Sequence, residues 1–91
     1  MTTHELKSWP EFFEPVLSGK KTFELRKDDR RYAVGDVLWL REWEPNTAKY
    51  SGRDVRKRVT YVLQGIGTGG IPPYHGLLRG YSILSLEDGK D

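Results

Sequence analysis

The sequence predicts a mostly β fold with some helix (α+β): a small five-stranded barrel with one short helix after the first strand. Three observations carry this. The chain has 91 residues, with three Trp, five Tyr and three Phe among 36% hydrophobic residues, enough for one modest core and one domain. Short runs rich in β-branched and aromatic residues recur at close spacing, divided by Gly, Pro, Asn and Asp. One early segment has helical spacing. Closing such strands into a barrel removes most of the edge that an open sheet would expose.

"THELKS" alternates and reads as the first strand, with Leu6 inward and His4 an ordinary strand residue. "SWPEFFEPVLSG" reads as the helix. Ser8 and Glu11 have the spacing of a capping box, and Pro10 falls in the first turn, where its missing N–H is harmless. Trp9, Phe12, Phe13, Val16 and Leu17 fall on one side as the expected core face, Gly19 is placed to stop the helix, and Pro15 argues for a kink or a short helix. "SGKKTFELRK" follows as the second strand. "DDRRYAVGD" is a charged loop turning at Gly35 and Asp36, and "DVLWLREWE" is the third strand. "PNTAKYSGR" reads as a polar turn region. "DVRKRVTYVLQ" is the fourth strand, with Val55, Val59, Tyr61 and Leu63 on one parity and Arg56, Arg58 and Thr60 on the other. The Gly- and Pro-rich "GIGTGGIPPYHGLLRG" is expected to be a flexible loop. "YSILSL" closes the sheet, and an acidic tail covers residues 87 to 91. One domain over residues 1 to 91, with its core at about 4 to 86, is the expectation.

With no Cys there is neither a disulfide scaffold nor a thiolate metal site, and two isolated His offer no ligand spacing, so no metal and no cofactor are expected. No stretch approaches the roughly 20 apolar residues of a membrane span, and "MTTHELKSW" lacks the apolar run of a signal peptide. A soluble, cytoplasmic monomer is expected. "GIGTGG" runs into Pro-Pro, so no helix N-terminus completes a phosphate cradle there.

The net charge of +2 says little, but its distribution says more. Basic side chains outnumber acidic ones in residues 20 to 31 and again in residues 49 to 58, which suggests an anionic partner. In the second strand, alternation puts Phe23 and Leu25 on one face, expected to be the core face, and Thr22, Glu24 and Arg26 on the other. Glu24 and Arg26 either pair with each other or flank one ligand. A carboxylate and a guanidinium together match a group that offers donors on one side and a carbonyl or phosphate on the other, as a nucleobase edge does. Lys21, at the entry to the strand, adds a mobile positive charge. Arg56 and Arg58, with Arg53 and Lys49, either track a phosphate backbone or protect an edge strand. Trp39, Arg41 and Trp43 share a parity and offer a stacking surface, against which stands the need for tryptophan in the core, with Trp39 under the helix. Tyr74 and His75 either close over a bound base or are two incidental rings of a disordered loop.

The spacing G-x-K-x-x-E-x-R, formed by Gly19, Lys21, Glu24 and Arg26 directly after a short helix, resembles the signature of the ASCH domain, named after the activating signal cointegrator and part of the PUA-like superfamily. The segment "HELKSWPEFFEPVLSGKKTFELRKDDRRYAVGDVLWLREWEP" and the closing "GLLRGYSILSL" resemble a small ASCH-like family of bacterial and phage proteins, over roughly residues 4 to 86. The resemblance implies a PUA-like five-stranded barrel, a basic cleft lined by Lys21, Glu24 and Arg26, and RNA or a nucleotide-like ligand as partner. One branch, the acetylcytidine amidohydrolases, uses the motif lysine and a threonine three residues later. Lys21 matches, but Glu24 stands at the threonine position and Thr22 lies elsewhere, so that activity is disfavoured. Three functions follow: an RNA- or nucleotide-binding module; a small hydrolase at the same cleft, a ribonuclease or nucleoside amidohydrolase with Lys21 and Glu24 as catalytic candidates; or a protein-interaction module.

Overall fold

The computed structural model describes residues 1–27, 29–65, 77 and 79–89. Their order is β1 (Thr3–Ser8), α1 (Pro10–Leu17), β2 (Phe23–Lys27), β3 (Val37–Glu44), β4 (Lys49–Gln64) and β5 (Tyr81–Asp88). All five strands form one sheet in the order β1-β3-β4-β5-β2. The β1–β3 pair is parallel and the other three pairs are antiparallel. The mostly β class, the five strands and the single helix after the first strand are as the sequence predicts.

The sheet curls into a half-barrel that does not close through its backbone. β1 and β2 are its two edges, and the seam between them is bridged by a side chain: Arg26 Nη2 donates to the carbonyl of Lys7 at 3.0 Å. The concave face carries the core, in which Leu6, Leu38, Leu40, Val59, Leu84 and Leu86 meet Phe13 and Val16 of α1. Burial of this apolar surface is the main force holding helix to sheet. Tyr32, from the β2–β3 loop, joins the core and sets its ring edge-on against His4, with centroids 4.8 Å apart.

His4 is buried on the inward row of β1. Its ring Nε2 donates to Asp36 Oδ2 at 2.9 Å, while the backbone N–H groups of Thr2 and Ala33 also donate to the Asp36 carboxylate. Burial alone would raise the Asp36 pKa, but the His4 hydrogen bond and the two backbone donors outweigh it and hold the carboxyl below its ordinary value of 3.8. The neighbouring turn uses Gly35 at φ 95°, which a glycine adopts without the penalty a Cβ would bring.

Within the helix, β4 and β5 the structure differs from the sequence reading at five places. The helix has no capping box: its N-cap is Trp9, without a side-chain cap hydrogen bond, because Ser8 is still the last residue of β1 and turns inward. Only Phe13 and Val16 of the helix are buried, while Trp9, Phe12 and Leu17 stay exposed, since the apolar arc is wider than the sheet beneath it can cover. β4 begins at Lys49, so only a tight turn separates it from β3. The parity of β4 holds up to Val59 and then slips, because Thr60 is an extra residue against β5: Val59 faces Leu86 and Tyr61 faces Ser85. Val62 therefore packs on the core and Tyr61 is exposed. β5 runs through Glu87 and Asp88, which the sequence reading placed in the tail. The predicted helix stop stands: Ser18 caps, Gly19 follows at φ 85°, and the Lys21 N–H bonds the carbonyl of Pro15 at 2.9 Å. The expected flexible loop, with Tyr74 and His75, falls largely outside the described residues.

Candidate functional site

The second strand is turned the other way from the sequence expectation. Phe23 and Leu25 are 47% and 56% exposed, whereas Glu24 is 3% exposed. The register explains it: Glu24 lies opposite Leu84 and Arg26 opposite Ser82, both fully buried, so the Glu24–Arg26 row faces the concave side. A charged row can face inward here because β2 is an edge strand beside the seam, and because Glu24 is paired on both oxygens. Lys21 Nζ donates to Oε1 at 3.1 Å and Arg26 Nε donates to Oε2 at 3.0 Å. Both oxygens of this buried carboxylate thus have charged donors, which is what its burial demands.

Arg26 bonds Glu24 through Nε and Lys7 through Nη2, which leaves further N–H donors on the same planar fork. Lys21 Nζ lies 5.3 Å from the ring centroids of both Phe12 and Phe23, within the range of cation–π attraction. The three charged groups carry one positive charge in surplus. They stand in the wall of a cleft of about 680 Å³, whose other walls are Trp9, Phe12, Phe23, Leu25, Lys7 and Ser8. The hydroxyl of Ser8 is buried and has no hydrogen-bond partner among the described residues.

Sequence reasoning thus found Lys21, Glu24 and Arg26, and the structure brings all three together. It missed the aromatic walls. Trp9 and Phe12 were assigned to the core, although five apolar residues in one short helix exceed what one buried stripe needs, and that excess was the available signal. Nothing in the sequence pointed to Ser8 or to the carbonyl of Lys7.

The basic segment of β4 does not join this cluster. Arg53 grips the buried Glu42 through Nε and Nη2, both at 2.9 Å, and reaches Glu14 of α1 at 2.9 Å. With Ser51 also donating at 2.6 Å, Arg53 and Ser51 hold the Glu42 carboxyl below its ordinary value of 4.5, and the Arg53 guanidinium is driven still higher. Lys57 pairs with Asp88 at 2.8 Å and Arg58 with Glu87 at 3.6 Å. Arg56 lies over the ring of Trp39, which does not pack under the helix. Trp39 alternates with the buried Leu38 and Leu40 and so faces outward, where its indole N–H donates to Asp54. Arg41 stacks on Tyr50 at 3.8 Å and Lys7 on Trp43 at 3.9 Å. Tyr74 lies outside the described residues.

Among the described residues no three His, Cys, Asp or Glu side chains gather where they could hold a metal ion, and no helix is long and apolar enough to cross a membrane. The model of the family described as "Domain of unknown function (DUF3850)" matches residues 3–86. A protein of Escherichia phage P2, named "Uncharacterized 12.9 kDa protein in GpA 3'region", is 46% identical over 59 residues, a match covering 65% of this chain and 52% of the phage protein. The matched part therefore spans about half the length of that relative.

Proposed function

The chain belongs to the family described as "Domain of unknown function (DUF3850)", and from the geometry of its cleft we propose that it binds a nucleotide unit, free or within RNA. The observation that carries the proposal is the surplus positive charge of Lys21 and Arg26 over Glu24 at the wall of a cleft whose other lining is Trp9, Phe12, Phe23 and Leu25 with Lys7 and Ser8. A ligand that complements it has one anionic group and one flat ring. The ring lies against Trp9, Phe12 and Phe23, and the phosphate takes the remaining donors of Arg26 and Lys21. Glu24 is the positioning carboxylate: it sets both cations and has each oxygen engaged. The ASCH-like, PUA-like reading of the Gly19, Lys21, Glu24, Arg26 spacing belongs to the same proposal.

The test is an NMR titration of labelled protein with nucleosides, nucleoside 5′-monophosphates and a short single-stranded RNA. Shifts should centre on Lys21, Glu24, Arg26 and the indole of Trp9. Arg26→Ala should weaken monophosphate binding about 10- to 100-fold, the loss expected when charge-assisted hydrogen bonds are removed. Shifts confined to residues 49–58 at low salt, or no shifts at all, would overturn the proposal.

A further inference from the structure

A second cleft of about 620 Å³ lies on the other side of Arg26. It shares Lys7 and Arg26 with the aromatic cleft and adds Lys27 and Arg30. Among the described residues its carboxylates are Glu5 and Asp29, and Glu5 is already held by Arg41 at 2.7 Å. Among the described residues four cations face two carboxylates here, a positive surplus, and Tyr32 and Tyr50 form the aromatic part of the lining. The boundary between the two is the seam itself, where the Arg26 guanidinium bonds the Lys7 carbonyl.

On the reading that the aromatic cleft takes a nucleotide, we propose that the ligand crosses the seam and places a second phosphate in the basic cleft. The preferred ligand class is then a nucleotide carrying phosphate beyond the group held by Lys21 and Arg26. A nucleoside 5′-diphosphate has this chemistry, and so does an internal nucleotide of a strand, where the next phosphate follows the sugar. Arg26 stands between the two phosphates and serves both, since its fork carries more donors than Glu24 and Lys7 consume. Lys27 and Arg30 contact only the second phosphate. They are exposed, so removing them takes charge from the basic cleft without disturbing the core.

Calorimetric titration of the full chain tests this, with the four ribonucleosides, their 5′-monophosphates and 5′-diphosphates, and a mixed-sequence five-nucleotide RNA. The diphosphate should bind about tenfold more tightly than the monophosphate at low salt, with the gain shrinking as salt rises. The doubly substituted Lys27→Ala/Arg30→Ala protein should lose that gain and keep the monophosphate affinity, with an unchanged melting temperature. If the pentamer matches the diphosphate and responds to the same substitutions, the second phosphate comes from a strand. If only the diphosphate gains, it comes from a free nucleotide. Equal affinity for mono- and diphosphate, or a gain that survives the double substitution, overturns the inference and leaves the aromatic site standing. Binding of none of these ligands overturns the underlying reading instead.

Discussion

Glu42 and Glu24 each bury a carboxylate on the concave face of the sheet, 4% and 3% exposed, and each receives charged donors on both oxygens. Their surroundings differ in two respects. At Glu42 one guanidinium serves two carboxylates, Glu42 and Glu14, and the ring of Phe13 lies 5.2 Å from it. The charge is negative in surplus and the centre is covered by the helix. At Glu24 two cations serve one carboxylate, and the centre opens on a cleft. The same pairing chemistry thus builds a covered brace in one place and a positive cleft wall in the other. What separates them is the balance of charge and the presence of a covering helix.

The sharpest way to break this comparison is at two adjacent phenylalanines. Phe13→Ala removes a fully buried ring beside the Arg53 brace and should cost about 3–5 kcal/mol in urea unfolding. Phe12 is 52% exposed on the cleft side, so Phe12→Ala should change stability by less than about 0.5 kcal/mol while weakening nucleotide binding. Equal stability losses would mean that the cleft wall is core after all.

Arg26→Lys comes next. A lysine keeps the charge but cannot bond Glu24, Lys7 and a phosphate in one plane. Monophosphate affinity measured by calorimetry should fall about tenfold, with stability changed by less than about 1 kcal/mol. Full retention of affinity would show that bulk charge, not the fork, is what counts.

Acid sensitivity should belong to the closed centres. Asp36 and Glu42 have folded pKa values lowered from 3.8 and 4.5, so the unfolded chain binds more protons at acid pH. Their stabilisation is complete above those ordinary values and is lost as pH falls through the lowered folded ones. Urea midpoints should stay level from neutral pH down to about pH 5 and drop below it. Asp36→Asn should flatten part of that drop, and an undiminished slope would assign acid unfolding elsewhere. The smallest effect is expected at Arg58, whose partner Glu87 lies 3.6 Å away near the surface. Arg58→Ala should shift stability by no more than about 1 kcal/mol.

The strands, the helix and the Lys21, Glu24, Arg26 cluster were legible because each rests on local pattern: alternation, helical spacing, turn residues and a short motif. The facing of β2 was not. Alternation states which residues share a side but not which side is inward, and apolarity voted for Phe23 and Leu25. The vote failed because β2 is an edge, a fact of strand order that emerges only when β5 pairs with it. Thr60 hid its bulge for a similar reason, since an extra residue is defined by the partner strand and not by its own neighbours. The aromatic wall was misread because Trp9 and Phe12 look like core until the width of the underlying sheet is known.

The seam closed by Arg26 and the Lys7 carbonyl has a mechanical consequence. Where strands close a barrel by backbone hydrogen bonds, its girth is fixed by strand number and stagger. Here the Arg26–Lys7 bond adds a side-chain link between the two edges beside the core packing, and a side chain can pivot about its torsions without breaking a ladder. The cleft is therefore an adjustable jaw. The guanidinium at that link also lines the cleft, so a ligand that competes for it would also loosen a link across the gap.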